Sequence, residues 1–497
     1  MGAFQSQVTR NHGVLPRADR YVGVAIIGAG FSGSMVAVHL AHTLRCTRRI
    51  ALIEKQRRRG PGIAYGTDNP LHLLNAPAGK MSAYPDKPSH FLDWLREHPE
   101  LLRQYGLDPL TEQAFVPRTL FGLYLELLVQ RRAVGRGNVH RFAQEAIDLV
   151  KAPDGSFHAV LADHTTIFAR KVVLALGNFP PGDPVVADQR FHRSKNYLTD
   201  PWSPATLERL SQTGDVLILG SGLTALDLIL SLNEMKQGGT IYVLSRHGHF
   251  PHRHALTAPY AFEQPGLRKI HTVRTLLRAV RNEVSLAARE NIDWRSVIDA
   301  LRPDTQAIWQ ELDLTERRRF FRHLRPYWEI HRHRAAPEAL DMMEAMKAAG
   351  RLRCYRGRVE RIVEHEHTLF VTFWNRSQIK GELAVNLVIN CTGPECNCHK
   401  LKDPLVLQLF LRGLARPDPL FLGFDVNHQG QLIDVAGRTV PDLYTLGSTR
   451  KGRLLETTAV PELGRQAMEL ATWLAEEIQK AARVAIEELP MGHSFEI

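Results

Sequence analysis

The chain has 497 residues, 44% hydrophobic and 23% charged, enough apolar material to bury more than one core. Its 63 basic and 52 acidic residues leave a net charge of +11, but no nucleic-acid motif with interleaved aromatics accompanies them, so the balance reads as solvated charge around anionic small molecules. No apolar run reaches transmembrane length, the polar start lacks a signal-peptide core, and five cysteines without a CxxC pair predict a reducing, cytoplasmic setting and disfavour dithiol chemistry.

In chain order, Met1, Gly2 and Ser6 fit a myristoylation pattern, a short match that carries little weight. The first structural signal is VAIIGAGFSGSMVAVHLA, beginning at Val24. The apolar run suits a buried parallel strand, Gly28 permits a tight turn, and Gly30 lets the backbone approach a pyrophosphate. Gly33 allows close packing where the helix is expected to begin, with unpaired N–H groups and a positive dipole end facing the phosphates. RRIALIEK supplies a second strand, and Glu54 at its end can accept hydrogen bonds from both ribose hydroxyls. The stretch from Gly60 to Pro88 must lie near the same cofactor. There Asn75 is a donor and acceptor for it, and Met81 and Tyr84 are placed to cover its ring; a rigid surface loop is the plain alternative. Helices follow around HFLDWLREHPELL and FGLYLELLVQRRAVG, then strands across FHAVLADHTTIFARKVVLALG, closed by Gly177.

A second dinucleotide signal, VLILGSGLTALDLIL, begins at Val216, with Gly220, Gly222 and Ala225 in the small positions. Its partner strand, TIYVLSRHG, ends in Ser245, Arg246 and His247 with no acid. A carboxylate there would repel a 2′-phosphate, whereas a hydroxyl and a guanidinium bind one, which favours NADPH over NADH. The alternative is a solvated arginine on a loop. An acid at one site and a base at the other point to bound FAD and a visiting NADPH, because a flavin holds electrons between a two-electron donor and an acceptor.

From about Arg268 to Ala345 the pattern is helical and rich in Arg and His, too long for a connection within a Rossmann unit, and reads as an insertion that helps build a substrate pocket. HRHALT, with Arg253 and His254, and WEIHRHR, with Trp328, His331, Arg332, His333 and Arg334, suit an anionic or heteroaromatic substrate. His254, His331 and Arg334 are the candidate substrate contacts; residues in alternation cannot all face one pocket, and solvated side chains are the competing reading. LAVNLVINCTGP ends in a further turn at Gly393, and CTGPECNCH is too compressed for usual zinc-ligand pairs, so no metal is expected. Near the end, DLYTLG closes at Gly447 and Pro461 suits the first turn of a helix, whose positive end would stabilise an anionic reduced flavin.

The expected fold class is α/β, with two Rossmann-like dinucleotide-binding domains and the NADPH domain inserted in a discontinuous FAD domain. The boundaries are residues 18–205 and 386–480 for the FAD domain and 206–385 for the NADPH domain, with the helical insertion at about 268–345.

These segments together, with SRHGHFPHRH and RPYWEIHRHRAAPE, resemble the bacterial FAD/NAD(P)-binding flavoproteins related to the class B and N-hydroxylating monooxygenases. The resemblance spans about Tyr21 to Leu474. It implies FAD held by Gly28, Gly30, Gly33, Glu54, Asn75 and the Gly447 turn, and NADPH on Gly220, Gly222, Thr224 and Arg246. Two departures stand out: Ser448 occupies a position where relatives often carry a ribityl-binding Asp, and FHRSKNYLTDPW only faintly echoes the Baeyer-Villiger fingerprint, which disfavours ketone oxygenation. The implied activity is NAD(P)H-dependent hydroxylation of a small polar nitrogenous substrate, an amino acid, amine or purine such as urate, by dioxygen through a flavin C4a-hydroperoxide. A flavoprotein reductase or dehydrogenase with another acceptor, and a non-enzymatic redox-sensing flavoprotein, remain the alternatives.

Overall fold

The computed structural model describes residues 20–43, 49–55, 62–134, 138–210, 214–235, 238–262 and 266–487. The Met1, Gly2, Ser6 pattern and the arginines at 57–59 lie outside these residues.

The first sheet is built on β1 (Tyr21–Ile27), whose inner residues are almost continuously buried, as expected of a parallel strand covered on both faces. It pairs in parallel with β2 (Ile50–Ile53), which pairs with β3 (Val139–Phe142). On its other side β1 pairs with β6 (Thr166–Leu174), and β4 (Ala146–Lys151) and β5 (Phe157–Leu161) form an antiparallel meander onto β6. Helix α1 (Phe31–Thr43) opens two residues ahead of Gly33, which therefore lies in its first turn. Helices α2 (His90–Arg96), α3 (Pro99–Gln104) and α4 (Arg118–Arg132) join α1 in the core on one face of the sheet.

The chain then leaves this sheet. A five-stranded parallel sheet runs in the order β10-β9-β8-β14-β7. Its members are β7 (Tyr197–Leu198), β8 (Val216–Leu219), β9 (Ile241–Ser245), β10 (Leu352–Arg356) and β14 (Leu387–Asn390), so it takes in strands on both sides of residues 206–385. Helix α5 (Pro204–Leu210) precedes β8, and α6 (Leu223–Glu234) follows it. A smaller antiparallel sheet of β11 (Arg358–His365), β12 (Thr368–Trp374) and β13 (Lys380–Val385) packs beside it.

Between β9 and β10 come α7 (Val273–Arg289), α8 (Trp294–Ala300), α9 (Thr305–Glu311), α10 (Leu314–His323), α11 (Arg325–Arg332) and α12 (Pro337–Ala348). Thr272, Asp293 and Asp313 cap α7, α8 and α10 by accepting from Thr275, Arg295 and Glu316 backbone N–H groups. Helices α7 to α11 share small cores of their own, whereas α12 buries Ala339, Leu340, Met343 and Met346 against the second nucleotide sheet. The last helix before β10 thus serves as the crossover of a parallel unit. After α13 (Pro404–Leu411) the chain rejoins the first sheet through β15 (Gln431–Ile433) and β16 (Thr439–Thr445), the latter parallel to β6. It ends in the short α14 (Lys451–Leu454) and the long α15 (Val460–Glu487), which lies along α1. Among the described residues no helix is long and apolar enough to cross a membrane.

Candidate functional site

In each sheet the strand that leads into a glycine turn, β1 or β8, has its successor on one side and a later strand, β6 or β14, on the other, and the carboxyl ends of that pair form the crevice where open α/β sheets bind ligands. In the first sheet the pair is β1 and β6. Gly28 follows β1 with φ +102°, and a Cβ there would lie 2.2 Å from the Ala175 carbonyl oxygen. A Cβ on Gly33 would come within 1.9 Å of the Gly28 oxygen, so turn and helix approach more closely than any side chain allows. Glu54, at the end of β2, accepts a hydrogen bond from the Ala29 N–H at 2.8 Å, which holds its carboxylate beside the glycine turn.

A cavity of about 1010 Å³ opens from this turn. Gly28, Gly30, Ser32 and Glu54 line one part, and Tyr65, Arg118, Trp202 and Thr224 another. Thr224 belongs to the first turn of α6, so the cavity reaches the second nucleotide unit. The returning segment closes it. Gly447 has φ +78°, its N–H donates to Gln466 Oε1 at 3.2 Å, and its carbonyl accepts from Thr457 Oγ1 at 3.1 Å. The Ser448 hydroxyl donates to the Gly177 carbonyl, joining the two loops at the cavity wall. Thr458 and Leu463, flanking the start of α15, also line the cavity. Its size, the glycine cradle and the acid fit an extended dinucleotide whose pyrophosphate rests on the amino end of α1.

The stretch after Gly60 departs from its sequence reading in detail. Met81 is 3% exposed and packs in the core with α1 and α2, and Asn75 is exposed and outside the cavity lining. Tyr84 packs between the rings of His39 and His90. What this stretch does is dock the second unit. His72 is buried, its ring nitrogens 2.7 Å from Thr67 Oγ1 and 2.8 Å from Ser231 Oγ on α6, and Asn69 donates to the same Ser231 oxygen at 3.0 Å.

Burial and then the Arg118 charge push the His72 pKa down to about 4, so the folded protein keeps this ring neutral while the unfolded chain protonates it near 6.5. Its contribution is present above pH 6.5 and is lost as pH falls towards 4, about 1 kcal/mol at pH 5.5. His72→Gln is expected to show a smaller drop in melting temperature between pH 7.5 and 5.5 than the parent, measured by thermal unfolding.

Arg118 is the residue that sequence reasoning missed. It opens α4, where a cation opposes the helix dipole, and that local misfit was the only signal of a distant partner. Arg118 Nη1 pairs with Asp227 Oδ2 of α6 at 2.8 Å, and its Nε donates to the Leu73 carbonyl at 2.9 Å. Asp227 is buried, and desolvation pushes its pKa up against the opposing pull of Arg118.

The second glycine turn repeats the first. Gly220 has φ +108°, and a Cβ there would lie 2.3 Å from the Cys391 carbonyl oxygen, on the strand end that returns through β14. Gly222 caps α6 and faces open space. Ser221 Oγ donates to Ser245 Oγ at 2.8 Å, and Ser245 Oγ also accepts from the Gly248 N–H at 3.0 Å, which folds the chain back after β9. Arg246 is exposed at that bend.

The three substrate candidates separate. His254 lies edge-on to Phe115 with ring centroids 5.2 Å apart; burial, followed by the Arg334 charge, pushes its pKa down to about 4. Arg334 is 5% exposed and pairs with Asp299 of α8. His331 sits apart, edge-on to His252 at 4.5 Å and to Trp294 at 4.8 Å, its Nδ1 2.7 Å from the Tyr327 carbonyl. None of the three lines the large cavity. The helical segment is fastened to the start of α15: Arg302 makes a two-bond fork with Glu462 at 2.7 and 2.8 Å, and Trp328 Nε1 donates to Glu456 at 2.7 Å. Among the described residues no three His, Cys, Asp or Glu side chains gather as metal ligands, and burial pushes the Cys391 thiol up.

Two sheets, each with a glycine turn after a buried parallel strand, and a cavity that runs from the first turn to Thr224 at the start of α6 define a chain of the two-dinucleotide class. Residues 25–179 match the FAD-NAD(P)-binding family model. The fold over 92% of the chain is shared with solved hydroxylase and monooxygenase structures. The reduced form of ornithine hydroxylase from Pseudomonas aeruginosa superposes with a TM-score of 0.61 at 16% identity, covering 92% of this chain and 100% of that one. Ornithine N-hydroxylase from Kutzneria sp. 744, with FAD, NADP+ and L-ornithine, gives 0.62 at 14% over the same shares. L-lysine 6-monooxygenase from Pseudomonas syringae gives 0.62 at 15%, again covering 92% and 100%. Among curated proteins none matches the sequence significantly.

Proposed function

We propose that the chain is an NADPH-dependent FAD monooxygenase that hydroxylates the nitrogen of a small amine or amino acid. The observation that carries this reading is the single cavity lined by Gly28 and Gly30 of one nucleotide turn and by Thr224 of the other, since hydride transfer requires the two cofactors to meet. The fold shared with ornithine and lysine hydroxylases supports the substrate class.

In this reading Gly28, Gly30 and Gly33 hold the FAD pyrophosphate and Glu54 the adenosine ribose. Ser448 and the start of α15 border the flavin, where the helix dipole favours negative charge. Bound FAD supplies the capacity to take two electrons and activate dioxygen. Gly220, Gly222 and Thr224 carry NADPH. The fork between Arg302 and Glu462 ties the helical segment to the start of α15, which borders the cavity through Leu463, and exclusion of water from the flavin favours transfer of oxygen to substrate over release of peroxide.

The test is to supply the yellow protein with NADPH, oxygen and a panel of ornithine, lysine, aliphatic diamines and urate, measuring NADPH consumed, peroxide released and hydroxylated product. Stoichiometric hydroxylamine from one of the amines supports the proposal. Reduction by NADPH with only peroxide formed across the panel would move the assignment to a reductase with another acceptor.

A further inference from the structure

Beyond the end of β9 lie three arginines from three different elements. Arg246 follows β9, Arg356 ends β10, and Arg376 sits in the tight turn joining β12 to β13. Each is exposed, and none has an ion pair or hydrogen bond among the described residues. Their placement is set by the backbone. Arg356 stands in register with Ser245, and the Gly357 N–H donates to the Ser245 carbonyl at 3.0 Å. Gly248 has φ +67°, and a Cβ there would lie 3.2 Å from Arg356 Cβ, so the returning loop runs along the arginine stem. A Cβ on Gly357, next to Arg356, would lie 2.8 Å from the Trp374 carbonyl oxygen, so β12 leads into the turn bearing Arg376 beside the end of β10, and that turn is held by Asn375, whose N–H donates to the Ile379 carbonyl at 3.0 Å and whose Oδ1 accepts the Ile379 N–H at 2.9 Å.

The charges act on a common point. His247, between Arg246 and the Gly248 bend, has its pKa lowered first by burial and then by Arg246, His249, Arg356 and Arg376. Like charges gathered at one place repel one another. A bound anion removes that repulsion, and the end of the second strand of a dinucleotide unit is where the adenosine ribose of the nucleotide rests.

We infer that Arg356 and Arg376 join Arg246 in a clamp for the 2′-phosphate of NADPH, so that the edge strand β10 and the small antiparallel sheet, as well as the nucleotide loop, set coenzyme choice. This rests on the NADPH-dependent reading above and assigns its specificity to two residues outside the nucleotide motif. A phosphomonoester carries a charge of about −1.5 to −2 at pH 7, which two or three guanidinium groups match. An unsubstituted 2′-hydroxyl gains nothing from them.

The experiment is calorimetric titration of the FAD-loaded protein with 2′,5′-ADP and with 5′-ADP, in the parent and in Arg246→Ala, Arg356→Ala and Arg376→Ala. The parent is expected to bind 2′,5′-ADP more tightly. Arg356→Ala and Arg376→Ala should each weaken 2′,5′-ADP about tenfold and leave 5′-ADP within about twofold, a loss that shrinks at high salt. Parental 2′,5′-ADP affinity in both variants, or equal losses for both probes, overturns the clamp while leaving NADPH dependence intact if Arg246→Ala alone abolishes the preference. A parent that binds the two probes equally overturns the NADPH reading itself, and the clamp with it.

Discussion

Gly28→Ala is expected to yield protein that purifies without flavin, whereas Gly220→Ala should yield yellow protein that NADPH reduces on the order of 100-fold more slowly. The two turns share one geometry and, in the proposed reading, serve different cofactors. At Gly28 the φ of +102° and the 2.2 Å approach to the Ala175 oxygen leave no room for a methyl group. Accommodating one separates the ends of β1 and β6 and turns the N–H groups at the start of α1 away from a pyrophosphate. At Gly220 the same conflict arises with the Cys391 oxygen at 2.3 Å, on a sheet that shares no strand with the first. The readouts are the FAD-to-protein absorbance ratio and the anaerobic reduction rate. Full flavin occupancy in Gly28→Ala would remove the basis for placing FAD in the first unit.

Cutting the ion pair between Arg118 and Asp227 should carry the largest stability cost of any single polar change. Both side chains are largely out of water, 15% and 8% exposed, so removal of one leaves the other as an uncompensated charge. Arg118→Met and Asp227→Asn are each expected to lose about 3 to 5 kcal/mol in urea unfolding, and the Arg118→Met, Asp227→Leu double variant should recover most of it. The pair also fixes α4 of one nucleotide unit against α6 of the other. The double variant, though stable, should therefore reduce its flavin more slowly with NADPH, because packing can replace the energy of the pair without replacing its direction. A double variant as unstable as either single one would show that the pair is not the source of the loss.

What could be read from the amino-acid sequence is what depends on neighbours along the chain. A glycine forced into positive φ directly after an apolar strand leaves its mark within a few residues, and both nucleotide turns, the α/β class and the returning strand before Gly447 were visible for that reason. The helical period between Arg268 and Ala345 was equally local, although it could not tell that α12 belongs to the nucleotide core, since a buried crossover helix and an inserted one share a period. Residues chosen by chemical type alone fared differently. Met81 suited a ring cover and is core; Asn75 suited a cofactor contact and lies outside the cavity lining. His331 resembled His254 in type, yet packs edge-on to His252. The contacts that unite the molecule, Arg118 to Asp227 across 109 residues and Arg302 to Glu462 across 160, join positions whose proximity no local pattern encodes.

The return of β16 to β6 sets an order of events during synthesis. Thr445 Oγ1 donates to the Leu174 carbonyl across 271 positions, and every strand from β7 to β14 emerges between them. The second nucleotide unit can therefore close on the ribosome while the first still lacks an edge and the Gly447 turn. The cavity wall made by Ser448, Thr458 and Leu463 comes last from the ribosome, so in the proposed reading a chain cut before α15 is expected to purify colourless.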